Sequence, residues 1–269
     1  MTRLKRRVCC ENLDEICLKA ELIQVTRKLK IQDFTGDGAY LTHYSLADLI
    51  DALGTQKDDA VNTFTARLLL LLESRPLLEA SVYQEVIDDV IAGYWRDYED
   101  HKASFMPAFL GNDILRLWRT FCVNYEARTK REPEDKKAKG KLKNYKLKHS
   151  RLLTCYSALL YLLAVYRIKQ TVSPADAKLM VSLTPTERLE WLMSETGLSN
   201  AHRSIAELLK QYERFLERTS LDEPGLVSQF LNKQLAREYL DEAAVFGDTV
   251  FEVLVEVGGQ SRFQRLLIV

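Results

Sequence analysis

At 269 residues the chain is long enough to bury a full hydrophobic core, in one large domain or two smaller ones, without disulfide or metal staples. Lys plus Arg equal Asp plus Glu at 38 each, so no overall field draws the chain to nucleic acid or anionic membrane, and any basic site must be local. With 46% hydrophobic residues, 11 Gly and 6 Pro, the composition excludes a linker or disordered tail and favours helices over short strands.

The opening MTRLKRRVCCENLDE carries the charges of a signal peptide, but Glu11, Asp14 and Glu15 follow where an apolar h-region would stand. Five cysteines, Cys9, Cys10, Cys17, Cys122 and Cys155, form no CxxC pair and fall mostly within helical apolar patterns. Both features fit a cytoplasmic protein with reduced thiols.

From Leu13 to Ile31, Ile16, Leu18, Leu22, Ile23 and Val25 recur at helix-like spacing, and FTGDGAY then supplies a turn. Ser45 caps SLADLIDALG, where Leu46, Leu49, Ile50 and Leu53 share a face and Gly54 ends the helix. Asp58 and Asp59 read as an acid pair at a helix N-terminus. In TFTARLLLLLES the run Leu68 to Leu72 has no polar face, so the helix is buried, and Pro76 stops it. Val82 to Tyr98 is amphipathic, with Val82, Val86, Val90 and Tyr94 at four-residue steps.

Pro107 opens a helix bearing Phe109, Leu110, Ile114, Leu115, Leu117, Trp118 and Phe121, which gives way to the charged loop EARTKREPEDKK. Asn112, Asp113, Arg116, Arg119 and Thr120 interrupt its apolar character. Burying an unpaired guanidinium is very costly, so these groups either line a polar cleft or form an ion-pair network with carboxylates such as Asp113 or Glu73.

In KKAKGKLKNYKLKHSR, Lys136, Lys139, Lys143, Lys146 and Ser150 follow at intervals of three or four and present four ammonium groups and a hydroxyl on one helical face. Lys141, Lys148 and Arg151 flank them. The mutual repulsion of such lysines, a few tenths of a kcal/mol per pair, is relieved by carboxylates or by a bound polyanion. Two readings are open: a phosphate-binding face, or a solvated face opposite the acids of EPED and DYEDHK. Leu152 to Tyr166 follows as an apolar run shorter than the roughly 20 residues of a membrane span, and reads as a central core helix.

Ser173 before Pro174 and Thr184 before Pro185 place caps ahead of a proline at the first helical position, and Thr184 with Glu187 fits a capping box. Ser199 starts a helix with Ile205, Leu208, Leu209, Tyr212, Phe215 and Leu216 inward, and Pro224 begins another reaching about Tyr239. Thr249 to Val257 fits strand or helix. A lone strand would lack a partner, which favours helix. The chain therefore reads as an all-α multi-helix bundle around the buried helix 152–166, with a helical domain over 1–170 and a helical subdomain over 171–269 packed on it.

NTFTARLLLLLESRPLL, FLGNDILRLWRTFCVNYEAR and KLKNYKLKHSRLLTCYSALLYLL together resemble a bacterial nucleotidyltransferase-like family related to the DUF294 group, over about residues 40 to 220. In nucleotidyltransferases of the polymerase-β type, a Gly-Ser turn and paired acids on a strand hold two metal ions. This sequence has no Gly-Ser dipeptide and no DxD on an expected strand. The resemblance therefore implies a truncated or degenerate member that keeps the helical domain and works with a separate catalytic chain. It also implies that Lys143, Lys146, Lys148 and Ser150 contact the phosphates of a nucleotide. The competing reading is a protein-interaction or scaffold module. No nucleophile, metal or cofactor constellation assembles from the sequence, and no membrane partner is expected.

Overall fold

The structure, a computed structural model, describes residues 12–31, 38, 41–129 and 134–268. The opening segment with Cys9 and Cys10, most of FTGDGAY, and Lys130 to Pro133 of the charged loop lie outside the described residues. All regular elements described are helical, as expected from the apolar periodicity. The chain divides into two compact units, Met1–Arg67 and Leu68–Val269.

In the first unit, α1 (Asn12–Lys28) buries none of its residues, and Leu13, Ile16, Leu18 and Val25 are exposed. Helix α2 (Leu46–Asp51) begins where expected: the Ser45 hydroxyl accepts from the Asp48 backbone N–H at 3.1 Å. After it comes the short α3 (Gln56–Ala60), and α4 (Thr63–Leu72) starts in this unit. Asp58 is not a solvated helix-terminal acid. It is 2% exposed and takes both Arg67 guanidinium nitrogens, at 3.0 and 2.5 Å, plus the Thr63 hydroxyl at 2.7 Å. Arg67, fully buried, also donates to the Leu49 carbonyl at 3.0 Å and so ties α2 to α4.

The second unit holds the rest of α4, α5 (Ala80–Tyr94), α6 (Ala108–Thr129), α7 (Glu134–Lys146), α8 (Leu152–Lys169), α9 (Pro174–Ser182), α10 (Pro185–Ser194), α11 (His202–Arg218), α12 (Glu223–Leu231), α13 (Lys233–Gly258) and α14 (Arg262–Ile268). Helix α8 is its axis. Every residue from Leu152 to Tyr166 except Tyr156 is buried, because a helix without a polar face needs neighbours all round. Its main neighbours are α6, α10 and α13, with α9 and α14 beside them.

The division into compact units falls after Arg67, and residue 170 lies inside the second unit. Helix α8 draws α6 from one side of that point and α10 and α13 from the other, so both belong to one unit. Leu68, Leu71 and Leu72 are buried as expected for TFTARLLLLLES, and Glu73, just past α4, reaches Arg151 at the head of α8.

Both proline-led helices carry full capping boxes, Ser173 with Asp176 and Thr184 with Glu187. The helix expected from Pro224 to Tyr239 is two. Asn232 leaves the helical region at ψ 116°, and its side chain accepts from the Gln234 and Leu235 N–H groups, ending α12 and starting α13. Residues 249–257 are helical, with Val250, Val253 and Val257 on the buried side of α13. Arg188 on α10 is buried and makes no ion pair among the described residues. It donates through Nε to the Met180 carbonyl at 2.8 Å, in the last turn of α9, where the helix dipole favours a cation. Burial pushes its pKa down to about 10.

Candidate functional site

The lysine-rich α7 is ordered by a stripe the eye misses among its charges. Ala138, Leu142 and Tyr145 are buried against Phe215 of α11, Leu226 and Phe230 of α12, and Ala236, Tyr239 and Ala243 of α13. His149 continues the stripe four residues on, inside a single π turn (Leu147–Arg151) that joins α7 to α8. The helical path from Lys137 to Lys169 is long and apolar enough in part to cross a membrane, but 78% of its apolar window is buried inside the fold, as in a core helix.

The expected phosphate-binding residues do not all share one surface. Lys143 and Lys146 are exposed and make no ion pair among the described residues. Lys139, on the same side, pairs with Glu223 at the start of α12 at 3.3 Å. Ser150 is turned to Tyr212 of α11; burial pushes that phenol's pKa up, and the hydrogen bond with Ser150 opposes the rise. Arg151 is engaged by Glu73 and lies 5.2 Å from the centre of the Phe121 ring. Lys148 faces a groove with Trp118 and Tyr156. The side chain of Lys136 lies outside the described residues. Of these expected groups Lys143 and Lys146 stay unpaired among the described residues, while Glu223, Tyr212 and Glu73 engage Lys139, Ser150 and Arg151 and Lys148 lines the groove.

The second foreseen site keeps one of its expected ion pairs, Arg116 with Asp113. Helix α6 buries Leu110, Asp113, Ile114 and Leu117 along one stripe and turns Asn112, Arg116 and Arg119 away from it. Asp113, 5% exposed, accepts from the Tyr94 hydroxyl at 2.8 Å. The Arg116 side chain is 42% exposed and stands 3.9 Å from Asp113, and Arg119 is exposed. Asn112, also exposed, donates to the Ala108 carbonyl at 3.0 Å. The buried charged group of this helix is the Asp113 carboxylate, which takes the Tyr94 hydroxyl and stands opposite Arg116.

A cleft of about 410 Å³ opens between α11 and α13, over Tyr145 and His149. Glu207, Gln211, Arg214 and Arg218 line one side, Glu238, Asp241 and Glu242 the other, and none of the basic-helix lysines reaches it. Arg218 pairs with Glu242 at 2.8 Å and stacks 5.0 Å from the Tyr239 ring centre. At the base, the His149 ring lies parallel to Phe215, 4.6 Å between centres, with its Nδ1 2.9 Å from the Tyr145 carbonyl. Sequence phase alone could have found His149, which stands four residues beyond Tyr145 and seven beyond Leu142.

Burial lowers the His149 pKa from 6.5 to about 4. As pH falls, the unfolded chain therefore takes up its proton first. The contribution of neutral His149 to stability is full above pH 6.5 and is lost as pH falls from there toward 4. Urea unfolding at pH 7 and pH 5 is expected to show lower stability at pH 5, with a smaller drop in His149→Phe. An equal drop in both proteins would assign the effect to other groups.

The remaining histidines are scattered: His43 lies 3.0 Å from Glu15, and His202 Nε2 lies 3.1 Å from the Glu195 carbonyl. Among the described residues no three His, Cys, Asp or Glu side chains cluster as a metal site would require. Cys17, Cys122 and Cys155 are free thiols, and burial pushes Cys155 up to about 12. No family model matches the chain, and no curated protein or solved structure matches it either.

Proposed function

We propose that the chain is a helical domain that binds phosphates, of a nucleotide or a nucleic-acid backbone, along the Lys143–Lys146 edge of α7, and that it serves a separate catalytic chain. One observation carries the reading. Lys143 and Lys146 stand three residues apart, exposed and without a carboxylate among the described residues, while the neighbouring Lys139 and Arg151 are paired. Two like charges at that spacing repel, and a phosphate bridging them relieves the repulsion and gains charge-assisted hydrogen bonds. The chain's zero net charge makes this a local attraction. The likeness of the Lys141–Leu163 block to nucleotidyltransferase-like sequences points the same way.

A nucleoside triphosphate and a short single-stranded oligonucleotide are to be titrated at low salt into the parent and into a Lys143→Glu, Lys146→Glu variant. Binding is expected to weaken by at least about tenfold in the variant, at unchanged helicity. If the parent binds neither, or the variant binds as well as the parent, the phosphate reading fails. The protein-interaction reading then takes its place, favoured by the exposed apolar side chains of α1.

A further inference from the structure

Gly247 sits in the interior of the 26-residue α13, where glycine is a poor helix former, and a Cβ built on it meets nothing within 4 Å. Two other helical glycines, Gly111 and Gly258, are explained by packing. At Gly111 a Cβ would come within 2.7 Å of Leu267, and at Gly258 it would strike Gln264. The fold has no such use for Gly247.

What Gly247 does is deepen a groove of about 270 Å³ between α13 and the junction of the π turn with α8. Trp118 and Tyr156, in edge-to-face contact at 6.4 Å, stand on one side, and Ala243 and the 65%-exposed Phe251 on the other. Lys148 is the single charged residue lining the groove, and it makes no ion pair among the described residues. A sugar or a base would leave its polar edges without partners against so apolar a lining, which is costly. A hydrocarbon chain gains by the same burial, and one ammonium group matches one anionic head. The volume lies just below the usual range of small-ligand sites, about 300–1,000 Å³, which suits a short chain.

We propose that this groove binds a medium-chain aliphatic carboxylate, its tail over Gly247 between Trp118 and Phe251 and its carboxylate on the Lys148 ammonium. The site is separate from the Lys143–Lys146 edge, and neither of those lysines lines it.

Decanoate, kept below its micelle-forming concentration, and decanol as its uncharged counterpart are the probes, read by calorimetry and by tryptophan fluorescence. The parent is expected to bind decanoate one to one and more tightly than decanol, with a fluorescence change that Trp118→Phe removes. Gly247→Leu points a side chain into open space from a better helix former, so it should keep the fold by circular dichroism and weaken decanoate binding at least tenfold. Lys148→Gln should weaken decanoate severalfold and leave decanol unchanged. The proposal is overturned if the parent does not bind decanoate, if a folded Gly247→Leu binds it as well, or if Lys148→Gln binds it undiminished. Loss of oligonucleotide binding in the Lys143→Glu, Lys146→Glu variant would leave these results unaltered, so the two sites are judged apart.

Discussion

Asp58→Ala is expected to lower the unfolding free energy by about 3–5 kcal/mol, since it leaves the fully buried Arg67 guanidinium without its counter-charge. Burial by itself would raise the Asp58 carboxyl. The hydrogen bonds from Arg67 and Thr63, with the charge of Arg67, hold it below its ordinary value instead, so it is ionised and engaged at neutral pH. The loss should be specific to breaking the pair. An Asp58→Leu, Arg67→Met double variant removes both charges at once and is expected to be less damaged than the single, as replaced buried pairs often are. Urea unfolding of the three proteins checks this. A single variant losing under about 1 kcal/mol would show a pair that water can still reach.

Leu159→Ala is expected to cost about 2–5 kcal/mol, the range for truncating a buried leucine. Leu159 is 1% exposed, and its Cδ1 lies 3.5 Å from where a Cβ would stand on Gly111 of α6. Helix α8 is held by α6, α10 and α13 together, so no neighbour can move in to fill the space without leaving its own contacts. That puts the expected loss in the upper part of the range. Equilibrium unfolding in urea measures it, and a loss below about 1 kcal/mol would mean that the core collapses onto the cavity.

The helical class and the central helix were legible because they depend on local pattern. Leu152 to Tyr166 shows no polar face, and a helix of that kind has nowhere to go but the core. The proline-led caps at Ser173 and Thr184 were legible for the same reason, since cap and partner lie three residues apart. What escaped depends on partners supplied from elsewhere. Nothing around Lys139 announces Glu223, nothing around Arg151 announces Glu73, and Asp58 finds Arg67 nine residues on, across a turn. Arg116 found the expected Asp113, but Arg119 misled, because a helix with apolar neighbours on every side in sequence still has an outer face in space. The groove at Gly247 was invisible because α6, α8, α13 and the π turn each contribute only part of it.

The salt dependence of oligonucleotide binding tests the phosphate edge most directly. Each phosphate neutralised on a single strand adds about −0.7 to the slope of log affinity against log salt. Contacts by Lys143 and Lys146 therefore predict a slope near about −1.4 for the parent and about −0.7 for Lys146→Gln. A slope near zero, or one that Lys146→Gln leaves unchanged, would contradict the assignment of phosphate binding to this edge of α7.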